Sequence, residues 1–81
     1  MYPYDVNRDF YTALGRALSE ARDSRGYTQA QFARVLGIAQ STYGGYEAAL
    51  RKIPIHILKQ AADKLNISVD SLLNGTETNI V

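Results

Sequence analysis

Residues 27–37, "YTQAQFARVLG", restrict what this chain can become more than any other stretch. Thr28 stands where a helix N-cap belongs, and Gln31 stands three positions later, so the pair makes a capping box. Tyr27 and Phe32 occupy the two positions of a hydrophobic staple around it. Gly37 supplies the left-handed backbone of a tight exit. A helix is therefore expected over 29–36, and only Ile38 and Ala39 separate Gly37 from the next helical stretch, 40–49. Two short helices joined by such a turn must cross closely. Ala33 is small where they approach, while Phe32, Leu36, Ile38, Tyr43 and Tyr46 are apolar at the spacings that point into a shared core.

The remaining segments carry helical marks and no sustained period-2 alternation, so the expected fold class is all-α with five helices. Helix 1 is expected over 9–24 with Phe10, Leu14, Leu18 and Ala21 on one face, ended by Gly26. Pro54 disfavours helix at Ile53 and suits a first helical position, which places helix 4 over 54–65 with Ile57, Leu58, Ala61 and Leu65 inward. Ser68 caps a short fifth helix, Ile67 and Leu72 staple it, and Gly75 stops it. The organisation expected is an N-terminal arm over 1–8, one domain over 9–75 and a disordered tail over 76–81. With 81 residues there is room for a single modest core.

Without cysteine there are no disulfides or thiolate metal sites, and no cofactor is expected. No secretory leader and no apolar run approaching 18 residues is present, so the expectation is a soluble, cytoplasmic protein with no membrane partner. The net charge is only +1, but its distribution is uneven. Arg25, Arg34, Arg51, Lys52 and Lys59 fall between Ser24 and Ala62, where Glu47 is the only acid. That asymmetry can give the middle of the chain a basic face.

Within "STYGGYE", residues 41–47, two adjacent glycines interrupt a helix, each at up to about 1 kcal/mol relative to alanine. Some contact should require them.

Residues 14–75 resemble the helix-turn-helix domain of the Xre/Cro/C1 family of phage and bacterial repressors. The likeness runs through Arg22, "GYTQAQFA" at 26–33, "LGIAQST" at 36–42, "YE" at 46–47, "RKIP" at 51–54 and "LNISVDSLLNG" at 65–75. It implies a five-helix, lambda repressor-like fold with helix 3 in the major groove of double-stranded DNA and the start of helix 2 against a phosphate. By the same resemblance, Gln29 contacts phosphate, and Gln40, Ser41 and Thr42 open the recognition helix over the bases. Gln40 is the strongest candidate for direct readout, because a carboxamide pairs bidentately with adenine. Arg51 and Lys52 would hold phosphates, and Arg22 with Glu47 would form an internal ion pair. Gly44 is expected to face solvent or the phosphates, and Gly45 stands where family members often carry a base-reading side chain. The expectation at that point is that small residues let the backbone approach the groove, with the Tyr43 hydroxyl adding a contact.

Two further departures bear on affinity. Ala39 is a weak N-cap for helix 3. The usual polar-glycine exit is replaced by "AAL" at 48–50, from which a longer helix 3 is expected. Modest affinity per monomer would be offset by a homodimer on a palindrome with half-sites about 34 Å apart. Candidate dimer surfaces are helix 5 with residues 79–81, or the aromatics Tyr2, Tyr4, Phe10 and Tyr11. The competing reading is a protein-interaction module, antitoxin-like or antirepressor-like, that keeps the fold and holds a protein partner. An enzyme is not expected, since His56 has no acids clustered near it and Glu47 is accounted for by Arg22.

Overall fold

The computed structural model describes residues 6–74, which form five helices: α1 (Val6–Ser24), α2 (Gln29–Leu36), α3 (Gln40–Glu47), α4 (Ile55–Leu65) and α5 (Val69–Asn74). α1 packs on α3 and α5, α2 on α3 and α4, and α4 on α5. The core is built from Leu14 and Leu18 of α1, Phe32, Ala33 and Leu36 of α2, Tyr43 and Tyr46 of α3, and Ile57, Leu58, Ala61, Ala62 and Leu65 of α4, closed by Ile53 and Leu72. Residues 75–81, including Gly75 and the expected tail, lie outside the described residues, as do Tyr2 and Tyr4 of the expected arm.

Four of the helix exits share one device. The chain passes through the left-handed region at Gly26, Gly37, Ala49 and Asn66, with φ of 81, 73, 61 and 57°. At each, two backbone bonds close the turn. Tyr27, Ile38, Leu50 and Ile67 donate to the carbonyls five residues back, those of Arg22, Ala33, Gly45 and Ala62. Gly26, Gly37, Ala49 and Asn66 donate to the carbonyls three back. This double closure is the Schellman arrangement, which satisfies carbonyls that a helix end would otherwise leave open. Tyr27, Ile38 and Ile67 then pack against the core. Leu50 does not and is 83% exposed.

The third of these exits corrects the expected extent of helix 3. Ala48 and Ala49 have high helix propensity, yet α3 stops at Glu47 because Ala49 turns left-handed. Closure of the turn and burial of Ile53 beyond it override local preference. α1 begins three residues earlier than expected, so 6–8 belong to the helix and not to an arm. Phe10 lies at the edge of the core at 37% exposure. Pro54 precedes α4 with an extended ψ of 150° and acts as its N-cap, leaving Ile55 as the first helical residue. The signals around α2 are realised in full: Thr28 Oγ1 accepts from Gln31 N at 3.1 Å, Gln31 Oε1 accepts from Thr28 N at 2.9 Å, and the Tyr27 and Phe32 rings lie 5.2 Å apart.

Gly15 determines how closely α1 and α3 cross. A Cβ there would overlap the Glu47 carbonyl oxygen and would sit 2.8 Å from the Tyr46 carbonyl oxygen. Both are backbone atoms that cannot turn aside. Gly15→Ala should therefore destabilise the domain by about 1–3 kcal/mol, the usual cost of forcing an extra methyl into a packed contact. At Ala49 the opposite sign is expected. Glycine relieves a left-handed strain of roughly 1–2 kcal/mol and gives back part of it as unfolded-chain entropy, so Ala49→Gly should raise stability by about 0.5–1 kcal/mol. Thermal unfolding of both variants measures these shifts; a lower melting temperature for Ala49→Gly would contradict the second.

Candidate nucleic-acid interface

Three helices meet at the Glu47 carboxylate. Arg22 of α1 donates Nε to Glu47 Oε2 at 2.7 Å and Nη2 to Oε1 at 3.2 Å, a two-bond pairing that matches the guanidinium fork to the carboxylate. Gln29, the first residue of α2, donates Nε2 to Oε1 at 2.8 Å. Arg22 also donates Nη1 to the Tyr27 carbonyl at 2.6 Å, so the same side chain ties down the α1 exit. The two charged side chains are only 12% and 6% exposed.

Burial by itself would raise the Glu47 carboxyl, but the bonds from Arg22 and Gln29, with the Tyr43 hydroxyl nearby, outweigh it and hold the group below its ordinary 4.5. The bond to Glu47 correspondingly raises Arg22. Tyr43 is fully buried, its ring edge-on to Phe32 at 5.4 Å, and burial pushes its phenol far up. Its hydroxyl faces the ion pair without a hydrogen bond of ordinary geometry. The Tyr43 hydroxyl expected at the DNA therefore belongs to the core, where its spacing within α3 places the ring.

The outer side of α3 is assembled from fewer residues than its length suggests. Gln40 and Ser41 are exposed and Thr42 is half-buried. Ala39 precedes them in an extended conformation and offers no side-chain cap. Gly44 is half-buried, so part of its backbone stays open to solvent, and Gly45 is buried. Gln29 Oε1 lies 3.3 Å from where a Gly44 Cβ would be, and the Arg51 stem lies 2.9–3.0 Å from where a Gly45 Cβ would be. At both glycines the space a Cβ would take is approached by a side chain of the same chain. Arg51 and Lys52 are exposed just beyond α3, with Lys52 Nζ 5.7 Å from the Tyr11 ring centre.

Gly15 and the Gln29–Glu47 bond are the parts of this arrangement that the residue pattern did not single out. A glycine at the middle of an otherwise good 19-residue helix carries the same propensity cost as Gly44 and Gly45, and that was the available signal.

Comparison with known proteins places this geometry. The family described as "Helix-turn-helix" matches residues 18–72, well over half of the chain. The chain belongs to the helix-turn-helix family. The match includes both helices of the motif, the three-residue turn and the Arg22–Glu47 pair, and the family likeness is of the Xre/Cro/C1 type. Within this helix-turn-helix family of transcription regulators, the chain is 45% identical over 58 residues to the uncharacterized HTH-type transcriptional regulator YazB of Bacillus subtilis, covering 72% of this chain and 84% of that protein. It is 37% identical over 63 residues to the SPbeta prophage-derived uncharacterized regulator YonR of the same organism, covering 78% of this chain and 58% of that protein. Among solved helix-turn-helix structures, the restriction-modification controller protein C.AhdI of Aeromonas hydrophila superposes with a TM-score of 0.73 at 27% identity, covering 76% of this chain and 94% of that one. SinR, a master regulator for biofilm formation solved in complex with DNA, superposes with a TM-score of 0.68 at 30% identity, covering 74% and 97%.

The ion pair has a pH signature with a definite sign. Because the Glu47 carboxyl titrates lower in the folded chain than its ordinary 4.5, its stabilisation is complete above that value and is lost as pH falls through the folded one. Glu47→Gln should flatten the acid side of the stability profile. Glu47→Ala, which strands Arg22, should cost about 3–5 kcal/mol at neutral pH. Chemical denaturation from pH 3 to 7 reads both, and a Glu47→Ala midpoint equal to wild type would contradict the pairing.

Proposed function

We propose that this protein is a cytoplasmic, sequence-specific DNA-binding transcription regulator that represses by binding a palindromic operator as a homodimer. The observation that carries the reading is the outer side of α3. Gln40 and Ser41 project from its first turn, and Arg51 and Lys52 flank its end. The one acid between Ser24 and Ala62, Glu47, is neutralised within the core by Arg22. What remains on the surface of this stretch is cationic. Structural similarity to SinR, solved on DNA, supports the same use of the motif here.

In this reading α3 enters the major groove with its N-terminal residues leading. Gln40 reads an adenine through N6 and N7, and Ser41 and Thr42 contact neighbouring base edges or phosphate. The α2 N-terminus, where Gln29 follows the Thr28 cap, accepts a phosphate on its first-turn amides. Gln29 gives one amide proton to Glu47, so its second proton is directed to that phosphate and the ion pair positions the contact. Lys52 holds a phosphate from the segment after α3. In this reading the protein acts by binding and not by catalysis, with the Glu47 carboxylate engaged by Arg22 and Gln29. The dimer would draw on the apolar edge where Phe10, Tyr11, Ile55 and Leu73 line a shallow cleft of about 300 Å³.

Selection of bound duplexes from a randomised pool at low salt tests the reading. A palindrome with half-sites one helical turn apart is the expected product. Gln40→Ala should then lose discrimination at one base pair per half-site by roughly 1–3 kcal/mol, and log K should fall with log salt by about 0.9 per phosphate neutralised. A folded protein that enriches no sequence and binds with a flat salt response would instead support the protein-interaction reading.

A further inference from the structure

The middle of α3 lacks side chains at two consecutive positions, and at each a long side chain from another part of the chain lies over the backbone. Gln29 covers Gly44. Arg51 covers Gly45, with Cδ, Cγ and Nε at 2.9, 3.0 and 3.4 Å from the position a Cβ would take. The placement of Arg51 is fixed by the backbone as well. The Gly45 carbonyl accepts both the Leu50 amide at 2.9 Å and the Arg51 amide at 3.2 Å, and the left-handed turn at Ala49 brings those amides round. Gly45 is buried while Arg51 as a whole remains exposed, with its stem resting on the helix.

We infer that Arg51 is a specificity-determining residue, which delivers its guanidinium over the middle of α3 to read a guanine through O6 and N7. This rests on the DNA-binding function proposed above and revises the phosphate contact expected of Arg51. A side chain starting from the segment after α3 would ordinarily reach the backbone rail of the duplex. Here the stem runs back across Gly45, with Nε 3.4 Å from where a Gly45 Cβ would be, so the guanidinium starts from the place a side chain at position 45 would take. A guanidinium is planar and carries its donors in a fixed fork, the geometry that guanine offers in the major groove. A stem already held against the helix has less rotamer freedom to lose on binding. The absence of a Cβ at position 45 is what permits this path, which gives the second glycine a function that helix propensity argues against.

The test compares wild type, Arg51→Ala and Gly45→Ala on the selected duplex and on its single-base variants, with the salt dependence of each. For Arg51→Ala, the expected result is loss of a guanine preference at one position per half-site, roughly 10- to 100-fold, with the other positions unchanged. Gly45→Ala should lose the same preference without a lower melting temperature, because its methyl meets only a flexible side chain and displaces it. The inference is overturned if Arg51→Ala weakens every duplex equally and reduces the salt slope by about 0.9, the behaviour of a phosphate contact. It is also overturned if the wild-type half-site contains no guanine preference. A wild type that selects no sequence overturns the DNA reading itself, and this inference with it; a wild type that does select, beside an Arg51→Ala variant of unchanged preference, overturns this inference alone.

Discussion

The Glu47 carboxylate is the point on which the arrangement of the first three helices depends. It receives Arg22 from α1 and Gln29 from α2 while belonging to α3, so one buried anion fixes three elements against one another. Its position is possible only because Gly15 lets the α3 backbone lie directly on α1. A buried ion pair does not by that fact add net stability, since desolvating both charges can cost as much as their attraction returns. Its consequence here is registry. Arg22 bonds simultaneously to Glu47 and to the Tyr27 carbonyl, and the α2–α3 pair is thereby held at a set position relative to α1.

That registry shapes the surface. Engaging the only acid between Ser24 and Ala62 in the ion pair leaves Arg34, Arg51 and Lys52 without a nearby opposing charge in sequence, in a chain whose net charge is nearly zero. Arg25 is partly drawn in as well, donating Nε to the Leu65 carbonyl at 2.8 Å and so linking the α1 exit to the end of α4. The exposed side of α3 is likewise a product of tertiary contacts. Its two glycines are covered by Gln29 and Arg51, and its end is set by a turn whose bonds reach back to Gly45.

The legible parts of the fold were those whose signals are local. The α2 segment carries cap, reciprocal bond, staple and exit within eleven residues, and its bounds follow directly from them. The core positions of α2, α3 and α4 follow from helical spacing. The end of α3 was not legible, because alanine favours helix and the left-handed conformation at Ala49 is imposed by closure onto Gly45 and by burial of Ile53. The start of α1 was misplaced although a local mark exists: Asp5, a favoured N-cap type, stands immediately before Val6 in sequence. The glycine pair showed that a contact was needed without showing with what. Which side chain lies over a bare backbone depends on residues 15 positions away at Gln29 and on a turn that was itself unexpected. Tyr43 illustrates the limit from the other side: one residue supported both a core role and a surface role in sequence, and packing against Phe32 decides for the core.

The central claim is that the outer side of α3, completed by Gln29 and Arg51, is the surface that meets DNA. Nitrogen-labelled protein titrated with its selected duplex, observed through backbone amides, the Gln29 and Gln40 carboxamides and the Arg51 Nε–H, tests it most directly. The account predicts that these signals and the amides at the α2 N-terminus shift together and saturate, while α4 moves little. Shifts confined to the apolar edge of Phe10, Ile55 and Leu73, with Gln40 and Arg51 unmoved at saturation, would contradict it.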